Sequence, residues 1–487
     1  MIVRVGVVSI GLALGLHLGA NPSPAASQTQ NPLATAADEA SLKKSCDKGS
    51  LSDCRTLAQM FASGTGVNLD LSKAVKLLKK ACKGGLGQAC LDAGRMVQSG
   101  QGTKPDVPEA LDLFEQACTG GTAEGCEEAG LLYQSGHGVT MNLGHAARFF
   151  ETACNGGLAR SCASLAGMYD SGRGVAGDPA KAAALYDKAC AGGDGATCAR
   201  LGELLLQRKG RAPDRARAVS LFKQGCDAGA MKGCFRLGQA LERGDGIAAD
   251  PAQARALFEK ACAGKDPGGC HALGLLYRDG SGVKKDYSQA LKLFEQSCQG
   301  GWGAGCVDLG LLVGNGRGVA ADVGRAGMLF RDGCTRGDPR GCLYLGRLYY
   351  EGRAVRQEYA RARSLFEEGC SAGNRESCSR YAAMLASAEG GQLDMSKALD
   401  LFRSGCQAGE PGDCVALARQ LVDGIYIPRN NAEAAKLYAR ACDAQHADAC
   451  YELGRMYRLG VGVARDLRTA RETMAKACKL GQKRACE

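Results

Sequence analysis

Twenty-six cysteines stand in this 487-residue chain as thirteen C-x7-C pairs, each pair 36 residues after the one before. They are Cys46 and Cys54, Cys82 and Cys90, Cys118 and Cys126, Cys154 and Cys162, Cys190 and Cys198, Cys226 and Cys234, Cys262 and Cys270, Cys298 and Cys306, Cys334 and Cys342, Cys370 and Cys378, Cys406 and Cys414, Cys442 and Cys450, and Cys478 and Cys486. Thiols at this density have two chemistries open to them, metal ligation and disulfide formation. Zinc sites take their cysteines closer together, and haem attachment needs C-x-x-C-H. Neither spacing occurs, and His137, His145, His271 and His446 are scattered, so no metal and no cofactor is expected. We read the cysteines as a disulfide within each pair. Closing so small a loop stabilises by roughly 2–3 kcal/mol in the chain-entropy model, and it keeps oxidation local. An even, high cysteine count also argues against a reducing cytosol.

Other residues could suggest catalysis. Ser-x-x-Lys occurs at Ser41 to Lys44, Ser45 to Lys48 and Ser220 to Lys223. A serine acyl-transfer site of that type also needs Ser-Asp-Asn and Lys-Thr-Gly elements converging on one pocket. Both are missing, as is any His-x-His-x-Asp metal cluster, so these serines and lysines read as helix surface and no catalytic residue is expected. Gly100-Gln101-Gly102-Thr103-Lys104 resembles a phosphate loop in isolation, but it lacks the Gly-Lys-Ser/Thr ending and follows a helix instead of a strand. It is a turn. The formal charge of +10, from 61 basic and 51 acidic residues, is mild and is not gathered into a stripe, which argues against nucleic acid as a partner.

The elements that hold these residues follow from the same period. Residues 1–26 read as an export signal, with Arg4, an apolar run from Val5 to Leu18, and small residues at Ala20, Ala25 and Ala26. Residues 27–39 read as a flexible lead-in, and residues 40–487 as 12 repeats of 36 residues carrying 13 cysteine pairs. No membrane span is expected after signal cleavage, and the destination is secreted or periplasmic. In the second repeat a helix A near Gln88 to Gln98 buries Cys90, Ala93, Gly94 and Val97. A Gly-x-Gly turn follows at Gly100 and Gly102, a pair kept in eight of 12 repeats. Asp106 then stands where a helix N-cap is wanted, and ten other repeats hold Asp or Asn in that column. Helix B carries Ala110, Leu113, Phe114 and Ala117 on one face and ends near Cys118. Ala recurs eight residues before each first cysteine from Ala74 to Ala470, and only Gly or Ala stands four residues after each second cysteine, as at Ala58, Gly94, Gly130, Gly202 and Gly454. The second column predicts close approach of two helix backbones. The fold class is all-α, an α/α superhelical solenoid of helix-turn-helix repeats with one C-x7-C disulfide per repeat.

Leu273-Gly274-Leu275-Leu276-Tyr277, then Gly280-Ser281-Gly282-Val283, then Ala290-Leu291-Lys292-Leu293-Phe294 resembles the Sel1-like repeat family, close kin of tetratricopeptide repeats. The cysteine pair in every repeat resembles the secreted cysteine-rich members from Helicobacter. The resemblance implies an adaptor scaffold acting as a monomer on a protein or peptide ligand. It also implies an alternative, a penicillin-binding protein with weak β-lactamase activity, whose ligand is a β-lactam or a cell-wall fragment. Arg208, Ala354, Ala388 and Tyr426 depart from the Gly-x-Gly turn, and Thr473 and Met474 replace the Leu-Phe pair in the last repeat.

A binding stripe is expected on helix A at the position after the second cysteine and four and seven residues further on. It varies over a constant frame: Phe235, Gln239, Glu242; His271, Leu275, Arg278; Val307, Leu311, Gly314. Toward the C-terminus it holds Arg347, Tyr350, Arg419, Tyr451, Arg455 and Arg458, the expected binding residues, with Arg forks for carboxylates and Tyr rings beside them.

Overall fold

Helix ends leave backbone N–H and C=O groups without intrahelical partners, and the repeat satisfies them by sequence. A computed structural model describes residues 36–207 and 214–486. In it the Asp106 side chain accepts from the Glu109 N–H at 2.9 Å, and the same cap is made by every other Asp or Asn of that column, from Asp70 to Asp466. Glu358 heads its helix without such a bond. At the other end of helix A, Gly100 closes the helix with φ +73°. Gly102 is also left-handed at φ +74°, and a Cβ there would overlap the Leu71 carbonyl at the start of the preceding helix B. Ala354 and Ala388 keep the left-handed turn at φ 59°, a conformation that costs an L-residue about 1 kcal/mol. The Arg208 departure and the expected signal and lead-in lie outside the described residues, save for the lead-in's last four.

Among the described residues there are 25 α-helices and no strand. Helix A of the second repeat is Gly87–Ser99 and its helix B is Val107–Thr119. The chain divides into two compact units, Met1–Gly156 and Gly157–Glu487. Each is an α/α solenoid of the expected kind. The first contains helices from Ala36–Asp47 to Leu143–Asn155, and the second runs from Ala159–Ser171 to Leu467–Lys479 with a closing 3-10 turn at Lys483–Ala485.

Disulfides join the end of one helix B to the start of the next helix A. The first unit holds Cys46–Cys54, Cys82–Cys90 and Cys118–Cys126. The second holds nine, from Cys190–Cys198 to Cys478–Cys486, with Cα–Cα distances of 4.4 to 5.0 Å. The remaining expected pair, Cys154 with Cys162, spans the division between the units. No described cysteine is free.

All twelve alanines from Ala74 to Ala470 are buried. The Gly/Ala column has a different cause from the one its smallness suggests. A Cβ on Gly94 would meet the Phe114 ring at 2.5 Å, and Gly130 faces Phe150 at 2.8 Å in the same way. In the second unit Gly202, Gly238, Gly274, Gly310 and Gly346 face Phe222, Phe258, Phe294, Phe330 and Phe366 at 2.5 to 2.7 Å. The glycine makes room for an aromatic ring of the same repeat's helix B, not for a second backbone. These rings are among the most buried side chains, so a few aromatics suffice when each is seated this tightly. Gly274→Val is therefore expected to cost about 3 kcal/mol by overpacking against Phe294, read from hydrogen exchange of helices Pro267–Asp279 and Tyr287–Gln299.

Within the second unit, consecutive A helices such as Gly195–Gln207 and Met231–Arg243 approach more closely than consecutive B helices do. The A helices form its tighter layer.

Candidate functional site

The expected stripe divides by depth. Its first position is core at Phe235, Val307, Leu343 and Val415, which are buried, and half-buried at His271 and Tyr451. Phe235 packs on Phe258 and edge-on against Trp302, with ring centroids 6.2 and 5.9 Å away. Consecutive A helices lie close enough that this position is covered by the next repeat. The positions four and seven residues on are the ones that reach solvent.

Much of the charge on these helices is used between repeats. Asp308, only 2% exposed, lies 2.8 Å from His271 Nε2, 3.2 Å from Arg278 and 3.3 Å from Arg340. Asp338 holds Arg340 at 2.8 Å and Asp279 holds Arg278 at 2.7 Å. Burial pushes the Asp308 carboxyl up, but the His271 hydrogen bond and the nearby charges of Arg340, His271 and Arg278 outweigh it and leave it below the usual range. Glu203, likewise buried, is held by Lys232 at 3.0 Å and Arg236 at 2.6 Å, which together also overcome the effect of burial. The first unit makes the same kind of link from Arg55 to Asp92 and from Arg95 to Glu128. His271 and Arg278 of the expected stripe thus clasp a neighbouring repeat. Sequence reading missed Asp308 and Glu203. The available signal was opposite charges on A helices 30, 33 or 37 residues apart.

The six expected binding residues lie on three A helices. Arg347 and Tyr350 are on Pro339–Glu351, Arg419 is on Pro411–Asp423, and Tyr451, Arg455 and Arg458 are on Ala447–Leu459. Helix Arg375–Ser387 comes between the first two. Arg347 pairs at 3.1 Å with Glu376, which also holds Arg380 at 3.1 Å. Tyr350 meets the Tyr359 ring edge-on at 5.3 Å, and burial followed by Glu389 pushes its phenol up. Arg455 is brought together with Tyr451, its guanidinium 6.0 Å from the ring centroid, and pairs with Glu452 at 2.9 Å. Arg419 faces the buried hydroxyl of Tyr438, which burial pushes up to about 12. Arg419 and Arg458 are exposed and make no ion pair among the described residues. Arg347 also borders a cavity of about 340 Å³ lined by Leu311, Gly314, Phe330, Tyr344 and Leu348. Its floor is apolar, and Asn315, Arg347, Glu351 and Arg353 form a rim of mixed charge.

The Ser-x-x-Lys matches converge on nothing. Ser220 and Lys223 are exposed on helix Arg215–Asp227, and Ser45 donates to Asp53. One group of potential metal-ligand atoms occurs among the described residues, Cys334, Cys342 and Glu368, and its two sulfurs are bonded to each other.

Asp413 is the one buried carboxyl here without a cation. Its Oδ2 accepts from the Ser379 hydroxyl at 2.7 Å, and it fits because Gly405 has no Cβ. Burial raises its pKa to about 6, with the Ser379 bond opposing and the Glu410 charge adding to the rise. A folded value above the unfolded one means that protonation stabilises: the penalty is full above pH 6 and fades as pH falls toward 4. Asp413→Asn is expected to raise stability by about 1 kcal/mol more at pH 7.5 than at pH 5, read from paired urea titrations.

Among the described residues no helix is long and apolar enough to cross a membrane. The Sel1 repeat model matches twelve segments, from residues 54–86 through 267–302 to 447–482. No curated protein matches the chain. Among solved structures it is similar to c5321, a protective antigen present in uropathogenic Escherichia coli strains, with 25% identity, 84% of this chain and 88% of that one covered, and a TM-score of 0.60. It is also similar to a Sel1 repeat protein from Oxalobacter formigenes (22% identity, 62% and 88% covered, TM-score 0.45) and to cysteine rich protein B of Helicobacter pylori (25%, 28% and 97%, 0.23). With twelve matched repeats, and with helix pairs and disulfides at the repeat junctions among the described residues of each unit, the chain belongs to the Sel1 repeat family, whose fold mediates protein interactions.

Proposed function

We propose that the protein is an exported, disulfide-stapled monomeric scaffold that holds an extended protein or peptide segment on its helix A surface, in the cell envelope or outside the cell. The reading includes residues 1–26 as the export signal, 27–39 as a lead-in and 40–487 as one repeat array. Disulfides persist in oxidising compartments, which supports export. The observation that carries the binding role is the cavity beneath Arg347, floored by Leu311, Phe330 and Leu348, on the same series of helices as Arg419 and Arg458, which make no ion pair among the described residues. A buried apolar anchor beside a guanidinium is what a protein interface concentrates its energy on.

The test is site-specific photocrosslinking in cells. A crosslinker at position 347, 419 or 458 is expected to trap one envelope or extracellular partner, and a crosslinker at Lys436, exposed on a helix B, is not. Trapping from Lys436 alone, or from none of these positions, overturns the proposal.

A further inference from the structure

A second cavity, of about 150 Å³, lies upstream in the same unit and is lined by Leu206, Phe222, Arg236 and Gln239 among others. Those residues stand three repeats (3 × 36 = 108 residues) before Gly314, Phe330, Tyr344 and Arg347 of the larger cavity. The two are therefore one site built twice. Each sits over the Phe that the Gly/Ala column accommodates, between one helix A and the next. The two copies differ at the residue seven positions past the start of the stripe: Leu206 lines the smaller upstream copy and Gly314 the larger downstream one.

Guanidinium groups stand at both rims. Upstream, Arg215 is paired with Asp245 at 2.5 Å and Arg236 with Glu203 at 2.6 Å. Downstream, Arg353 reaches Glu351 only at 3.6 Å, and Arg347 shares Glu376 with Arg380. Both rims thus have a guanidinium to spare: Arg243, exposed and without an ion pair among the described residues, lines the upstream copy, and two arginines share Glu376 downstream. Adjacent helices pack about 9 Å apart, so three repeats separate the cavities by roughly 27 Å, the span of about eight extended residues at about 3.3 Å each.

We infer that the two cavities take two anchors of a single extended partner segment. An aromatic or branched side chain enters at Gly314 and a small apolar side chain about eight residues away enters at Leu206, each flanked by an acidic residue. The inference rests on the helix A surface being the binding face.

The test uses phage-displayed random peptides of roughly 16 residues, long enough to span both cavities, selected on the oxidised full chain. Recovered peptides are expected to carry two apolar residues about eight apart, the larger and the smaller each with Asp or Glu beside it. Gly314→Leu is expected to weaken them by about tenfold or more with an unchanged thermal midpoint, because Leu206 occupies that place in the sister repeat. Leu206→Gly is expected to shift selection toward a larger second anchor. Peptides that bind Gly314→Leu as tightly as the parent, yet are lost on Arg347→Glu with Arg455→Glu, overturn the paired cavities and leave the scaffold reading standing. Binding indifferent to all these substitutions, or a library without binders, overturns both.

Discussion

Reduction of the oxidised protein is expected to unfold it at temperatures where the oxidised form is fully helical. Each disulfide closes only the seven residues between its cysteines, so each contributes roughly 2–3 kcal/mol in the chain-entropy model. What makes the sum decisive is where they sit. In a solenoid, stability is approximately a sum over repeats and their interfaces. Every described disulfide fixes one such interface, at the junction where helix B hands over to the next helix A. The core it reinforces is built from small and aliphatic residues, with one seated ring in most repeats. Position along the array matters too. Removing Cys298 and Cys306, between flanking repeats of the second unit, is expected to cost the full 2–3 kcal/mol, whereas removing Cys478 and Cys486 loosens only a terminal turn. Circular dichroism melts with and without reductant, and hydrogen exchange on the two double serine variants, check both statements. Equal effects of the two variants would remove the positional argument.

The second large effect is at Asp308. Asp308→Asn keeps the shape and removes the charge that Arg278 and Arg340 share and that the His271 ring hydrogen-bonds. Breaking a buried ion cluster from one side costs about 3–5 kcal/mol, because the cations lose their counter-charge in a poorly solvated place. Arg278 and Arg340 keep Asp279 and Asp338, which places the expected loss near the lower end, at about 3 kcal/mol. The loss should be local. Exchange protection falls in helices Pro267–Asp279, Gly303–Gly314 and Pro339–Glu351, which the cluster bridges, and not near the C-terminus. Acid should act in the same sense. The carboxyl is held below its ordinary pKa, so the stabilisation is complete above the unfolded value and is lost as pH falls through the depressed folded one. A loss under about 1 kcal/mol would mean that the cluster is spectator chemistry.

Most of the fold was legible because a repeated sequence compares itself. The cysteine period, the Asp106 column and the Ala74 column each specify contacts within a repeat or at its junction, and those contacts formed as read. What was not legible depends on how one repeat meets the next. Gly94 looked like a place for a backbone and holds a ring, because the neighbour that fills it comes from helix B of the same repeat. Phe235 and Val307 looked like the start of a surface stripe and are covered by the next helix A. His271 looked available to a ligand and instead serves Asp308, 37 residues away. Spacing along one chain gives the face of a helix, but not the distance to the helix beside it.

Whether the helix A surface of this stapled frame holds a partner is decided by partner capture from the envelope fraction by the oxidised chain, compared with its Arg347→Glu, Arg455→Glu double variant under matched thermal midpoint and oxidised mass. Capture is expected to fall by about tenfold or more when both guanidinium groups reverse sign. Capture unchanged in the double variant would rule out partner binding through these arginines.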